Sequence, residues 1–153
     1  MKTSHYTKFT LMVICSAISM YITMYFNTYE ISHVFFSWTR LYMTLIGVSA
    51  MAIIMFLFMR GMYKSKVKNA RIIIISVLTM AVSTFLVRQQ IPINDLKWMK
   101  AMIPHHSIAI LTSHRADLKD PEVKKLAEDI IEAQKREIAE MKKMIERLEN
   151  ESL

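Results

Sequence analysis

The chain has 153 residues, with 20 Lys plus Arg against 13 Asp plus Glu, 53% hydrophobic residues, 14 Met, three Pro, two Gly and one Cys. That length excludes a large multidomain enzyme, the single Cys excludes an internal disulfide, and so little Gly and Pro leaves too little turn chemistry for a many-stranded β fold. The fold class expected is therefore all-α, and the net charge of +7 averages two unlike halves: residues 1–88 hold nine Lys/Arg and one acid, Glu30, whereas residues 89–153 hold eleven Lys/Arg and twelve acids.

Three uncharged runs come first in chain order, at residues 9–26, 41–59 and 72–87. At about 1.5 Å rise per residue each approaches hydrocarbon thickness, and Arg71 and Arg88 bracket the shortest and can snorkel to the interfaces. Residues 1–88 are thus expected to form three transmembrane helices in the lipid bilayer. The basic excess sits at the ends of apolar runs without interleaved aromatics, which argues against nucleic acid. A cleaved signal peptide is not expected, because no small-x-small site follows the first run. The bulky Ile14 before Cys15 argues against a lipoprotein anchor.

Between the second and third runs stand Arg60, Lys64, Lys66, Lys68 and Arg71, whereas the first loop holds only Arg40 against Glu30. Positive charge marks the cytoplasmic face. A multi-pass protein with a cytoplasmic N-terminus, an outer first loop and everything after Arg88 outside the cytoplasmic membrane is expected.

Residues 89–93 read as a linker, since Pro92 disfavours a helical Ile91. Asn94 and Asp95 supply a cap and a first-turn acid for a helix to about Ala116. Asp120, Pro121 and Glu122 repeat the signal for a second helix to about Glu149. In it Ala127, Ile131, Gln134, Ile138, Met141, Ile145 and Leu148 alternate steps of four and three, a coiled-coil-like seam. Residues 94–153 are expected to form an antiparallel helical hairpin outside the membrane. So small a hairpin buries little by itself, so two are expected to pair into a four-helix bundle, a homodimer or higher homo-oligomer.

The chemistry-bearing stretch is Trp98-Met99-Lys100-Ala101-Met102-Ile103-Pro104-His105-His106, with Met141 and Met144 on the returning helix. Met99, Met102 and His106 share a helix face, His105 follows Met102 by three, and Met141 and Met144 are a further spaced pair. Thioether plus imidazole selects copper, Cu(I) above all, over magnesium or calcium. The candidate metal ligands are Met102, His105, His106, Met141, Met99 and Met144. A turn centred near residue 119 would set Met141 opposite residue 97 and Met144 opposite residue 94, and Pro104 is expected to kink the helix beside the His pair. Each Met also has an ordinary reading as gap-filling core. His114 reads as solvent-exposed. A di-iron bundle is not expected, because it needs Glu-x-x-His motifs on facing helices and none is expected in the chain, and no nucleophile elbow, phosphate loop or paired buried carboxylate points to an enzyme.

The segment Asp95-x-x-Trp98-Met99-x-x-Met102-Ile-Pro-His105-His106-x-x-Ala109, followed by Asp120-Pro121, Ala127-Glu-Asp-Ile-Ile and Gln134-x-x-Glu137-Ile138-x-x-Met141, resembles the domain-of-unknown-function family numbered 305. The earlier part, with Ser4-His5-Tyr6, Asn27-Thr28-Tyr29, Arg40-Leu41-Tyr42-Met43 and Phe58-Met59, resembles its three-span, membrane-anchored branch. The resemblance implies a ferritin-like helical bundle in the bacterial inner-membrane envelope, with some relatives binding copper in metal tolerance. Met102, His105, His106 and Met141 match its pattern, while Thr112 stands where many soluble relatives carry a further Met.

The function expected is copper binding in the envelope, for sequestration or relay. Two alternatives stand beside it. Met51, Met55 and Met59, with Met20 and Met24, could form a thioether ladder passing Cu(I) through the spans. Equally, the seam needs no metal, and the protein could be a structural or partner-binding membrane protein.

Overall fold

Helix ends follow caps and not charges, so the second and third uncharged runs lie within longer helices, whereas the first, expected over 9–26, outlasts its helix, which stops at Thr23 with Met24 as its cap. In the computed structural model, which describes residues 4–151, the chain forms α1 (His5–Thr23), α2 (Trp38–Met59), α3 (Lys66–Gln89), α4 (Asp95–Arg115) and α5 (Pro121–Glu151), with three-ten turns at Ile31–His33 and Arg60–Met62. Among the described residues there is no strand. α1 opens at Ser4, whose Oγ accepts from the Tyr6 amide at 3.3 Å, and α3 opens at Ser65, whose Oγ accepts from the Lys68 amide at 3.4 Å. α3 therefore takes in Lys66, Lys68 and Arg71, which the uncharged run left out. It stops at Gln90, in the left-handed region with φ 53°, whose amide returns to the Leu86 carbonyl.

Three of these helices, Trp38–Met62 with its three-ten extension, His5–Thr23 and Lys66–Gln89, are long and apolar enough to cross a membrane. Their exposed faces carry Leu11, Ile18, Ile54, Phe58, Ile75 and Val82, which suits lipid and not water. α2 is the central one, with 33% of its apolar window buried against 6% for α1 and 11% for α3. Gly47 lets α1 approach it, since a Cβ there would lie 3.0 Å from the Met20 sulfur.

The chain divides into two compact units. One unit is Met1–Met24 with Thr39–Pro92; the other is Tyr25–Trp38 with Ile93–Leu153. The first loop thus clusters with the hairpin. α4 and α5 begin as their caps dictate: Asn94 Oδ1 accepts from the Lys97 amide at 3.0 Å, and Asp120 Oδ1 accepts from the Glu122 and Val123 amides at 2.8 and 3.0 Å. The seam packs as its spacing demands, with Ala127, Ile138, Met141 and Ile145 buried and Ile131, Gln134 and Leu148 half-buried. Ile103 and Ile110 of α4, at 0% and 1% exposure, complete the core. α4 runs without interruption through Pro104, itself buried in the contact with α5.

Candidate metal centre

The register of the hairpin differs from the one expected. His106 Nε2 meets Glu137 Oε2 at 2.7 Å. His106 stands nine residues before the end of α4 at Arg115, but Glu137 stands sixteen after the start of α5 at Pro121. The cause is the connection, which is not a tight turn: Ala116 is extended with ψ 135°, and Ala116, Asp117 and Leu118 line a shared cleft with Lys124 and Ala127, back along α5. Pairing 106 with 137 carries Met141, one turn on, to the level of Met102, one turn back, and not to residue 97.

Four of the six candidate ligands are gathered by this register. Met99 and Met141, at 4% and 7% exposure, lie in the core cluster with Ile103, Ile110, Ile138 and Ile145, and Met102 packs against it half-buried. His106, one turn along α4 from Met102, is held by Glu137 with its side chain 12% exposed. The other two are not gathered: His105 is exposed, its ring centroid 6.1 Å from that of His106, and Met144 is 46% exposed on the outer side of α5.

Glu137 determines what His106 can do. A carboxylate accepts only, so Nε2 carries the proton and donates, which leaves the Nδ1 lone pair free in the neutral ring. That Nδ1 is buried and has no hydrogen-bond partner. An unmatched buried acceptor costs about 1–3 kcal/mol, and a carboxylate fixing one imidazole nitrogen while the other stays open is the usual support of a metal-binding His. Among the described residues no three His, Cys, Asp or Glu side chains converge on one point. What the His106 side offers is one open imidazole nitrogen, in a hairpin whose core carries thioethers. Glu137 was visible in the sequence only as part of a motif, and its place opposite the His pair could have been drawn only from the correct register.

A second polar cluster, unforeseen, lies one residue further along α4. Ser107, with 0% exposure, accepts from the Tyr29 amide at 2.7 Å and stands 3.0 Å from His33 Nδ1. In the neutral ring with the proton on Nε2, facing Glu30 Oε2 at 3.6 Å, Nδ1 accepts from the Ser107 hydroxyl; in the other tautomer Nδ1–H donates to it. Against the expectation that the chain holds no Glu-x-x-His, Glu30-Ile31-Ser32-His33 has that spacing, but it lies in a three-ten turn that forms a strap over α4 and not on one of two facing helices. Burial pushes the His33 pKa below its ordinary 6.5, Lys142 pushes the same way, and Glu30 opposes both. Tyr29, His33, Ile110, Ile138 and Lys142 line a cavity of about 370 Å³ under the strap. His114 is exposed, as its position near the loop implied, with its ring 6.0 Å from Tyr29.

Some of the span methionines are engaged in packing or hydrogen bonding. Met55 and Met59 lie against the cluster of Phe9, Ala52, Phe56 and Tyr63, and the Met24 sulfur accepts from Thr44 Oγ1 at 3.5 Å.

An α-helical hairpin with a His/Met-lined core, in a chain with three membrane-length apolar helices, defines the class of protein. The chain belongs to the family described as domain of unknown function (DUF305), whose match covers residues 85–152, from the last turn of α3 to the end of α5. An uncharacterised protein of Acanthamoeba polyphaga mimivirus is 34% identical over 139 residues, covering 89% of this chain and 90% of the relative. That similarity takes in the apolar helices as well as the hairpin. No solved structure matches the chain.

Proposed function

We propose that the protein is a membrane-anchored copper-binding protein that holds the ion as cargo, for sequestration or relay, with no catalysis of its own. The observation that carries this reading is the buried, unpartnered Nδ1 of His106, whose other nitrogen is fixed by Glu137. In this reading Met102 and Met141 supply thioethers, Met99 lines the floor, and exposed His105 is the imidazole that first meets an arriving ion. Met144, on the outer side of α5, takes no part.

The same reading puts the basic loop end at the cytoplasmic face of a bacterial inner membrane, with the hairpin outside, on the positive-inside rule. It also has two hairpins pair as a ferritin-like four-helix bundle, because Trp98, Val123, Leu126 and Met144 leave apolar surface in water. Titration of the full chain in detergent with Cu(I) under reducing conditions, with Zn(II) as competitor, tests the assignment. One Zn-resistant Cu(I) per chain is expected, lost in His106→Ala and weakened in Met141→Leu. Unchanged stoichiometry and affinity in both variants would sink it. Light scattering of the same sample checks the dimer.

A further inference from the structure

The loop end of the three apolar helices is assembled as a fixed array of cations with nothing in its own unit to neutralise them. All thirteen acids of the chain fall within residues 25–38 and 93–153, so the span unit has nine Lys/Arg and no acid. Six of those cations, Lys8, Arg60, Lys64, Lys66, Lys68 and Arg71, are exposed and lie at the start of α1, the end of α2 and the start of α3. Orientation in a membrane would require only that they be present. Their placement goes further than that.

The backbone carrying them is clamped. Tyr6 Oη accepts from the Ser65 amide at 3.0 Å and donates to Asn69 Oδ1 at 2.8 Å, while Asn69 Nδ2 donates to the Tyr63 carbonyl at 3.0 Å. Tyr63 is 4% exposed, stacked on Phe56 with ring centroids 5.6 Å apart and edge-on to Phe9 at 5.8 Å. Lys68 Nζ lies 5.1 Å over the Tyr6 ring. The start of α1 and the turn into α3 are thereby tied together.

The array is also electrostatically frustrated. α3 opens with Lys66 and Lys68 and no acid in its first turn, where the helix dipole favours negative charge. An anion at this place would be favoured by the helix dipole and by the lysines together. It must come from outside the unit.

We propose that this end binds anionic phospholipid headgroups of the adjoining leaflet, the phosphate lying among Lys64, Lys66 and Lys68 at the start of α3 and the acyl chains against the apolar faces of α1 and α3. The assignment rests on the three helices lying in a bilayer and is independent of copper. Phospholipid is favoured over a soluble anion because the cations border directly on lipid-suited surface, such as Val67 and Ile74 on α3.

The test uses the full chain in mixed micelles of phosphatidylcholine and phosphatidylglycerol, with retained lipid counted by native mass spectrometry and melting followed in parallel. Preferential retention of phosphatidylglycerol is expected, falling about tenfold in Lys64→Gln/Lys66→Gln/Lys68→Gln. Equal retention of the two lipids by the wild type, or undiminished preference in the variant, would overturn the proposal. So would stabilisation by inorganic phosphate as large as that by the lipid. Tyr6→Phe keeps every charge and removes the tether; reduced preference is expected, and an unaltered one would mean a diffuse field and not a built site. Should the triple variant lose helicity, Lys64→Gln and Lys66→Gln made singly take its place with the same two readings.

Discussion

The two units are built to opposite surface rules. The span unit turns Ile, Leu, Phe and Val outward, keeps Ser76 and Ser83 buried, and holds cations without acids. The hairpin unit does the reverse: its apolar seam is inside, and eleven Lys/Arg mingle with thirteen acids on its surface. The inside-out arrangement of the first explains why averages over the whole chain mislead. It also means that the same substitution carries different weight in the two places.

Truncation of one branched side chain in each unit should break this symmetry most plainly. Ile103→Ala removes a side chain with 0% exposure and should cost about 3 kcal/mol in denaturant unfolding of the hairpin unit. Ile75→Ala, at 62% exposure, should cost under about 1 kcal/mol in detergent. Comparable losses would show that α3 has a protein partner on that face. Next in size, Glu137→Gln removes the carboxylate that fixes the His106 proton, and copper affinity should fall about tenfold to hundredfold with little change in melting. An unaltered affinity would sever Glu137 from the site.

The strap gives a pH-dependent contrast that the span unit should lack. His33 holds its proton less well folded than unfolded, so protons favour the unfolded strap. Its contribution is whole above the ordinary 6.5 and is lost as pH falls below that value. Hydrogen exchange at Tyr29 and Val34 should accelerate from pH 7.5 to about pH 5 in the wild type and lose that dependence in His33→Gln. Acceleration persisting in the variant would move the titration elsewhere. Smallest of all, Lys125→Ala breaks an exposed pair with Asp129 at 3.4 Å and should change stability by less than about 0.5 kcal/mol.

What was legible in the sequence was whatever has a local cause. Uncharged runs marked α1 to α3, Asn94 and Asp120 announced α4 and α5, and the seam from Ala127 to Leu148 named the buried face of α5. Register was not legible, because the extended 116–120 connection slides α5 past α4 without leaving a periodic trace. Of the candidate residues, the shared burial of Met99 and Met141 could be read from spacing, whereas the exposure of Met144, three residues beyond Met141, follows from its angle on the helix. His33 could not be found at all. Its partner Ser107 is 74 residues away, and no pattern couples a loop histidine to a helix serine over that distance.

That separation has a consequence in time. At 5–20 residues per second, Tyr29 and His33 leave the ribosome about 4–15 seconds before Ser107 exists. During synthesis α1 and α2 are complete while the strap between them has no surface to lie on. The hairpin arrives last and is met by a segment already waiting, so a fragment beginning at Ile93 would present Ser107 with its buried hydroxyl and none of the residues that close over it.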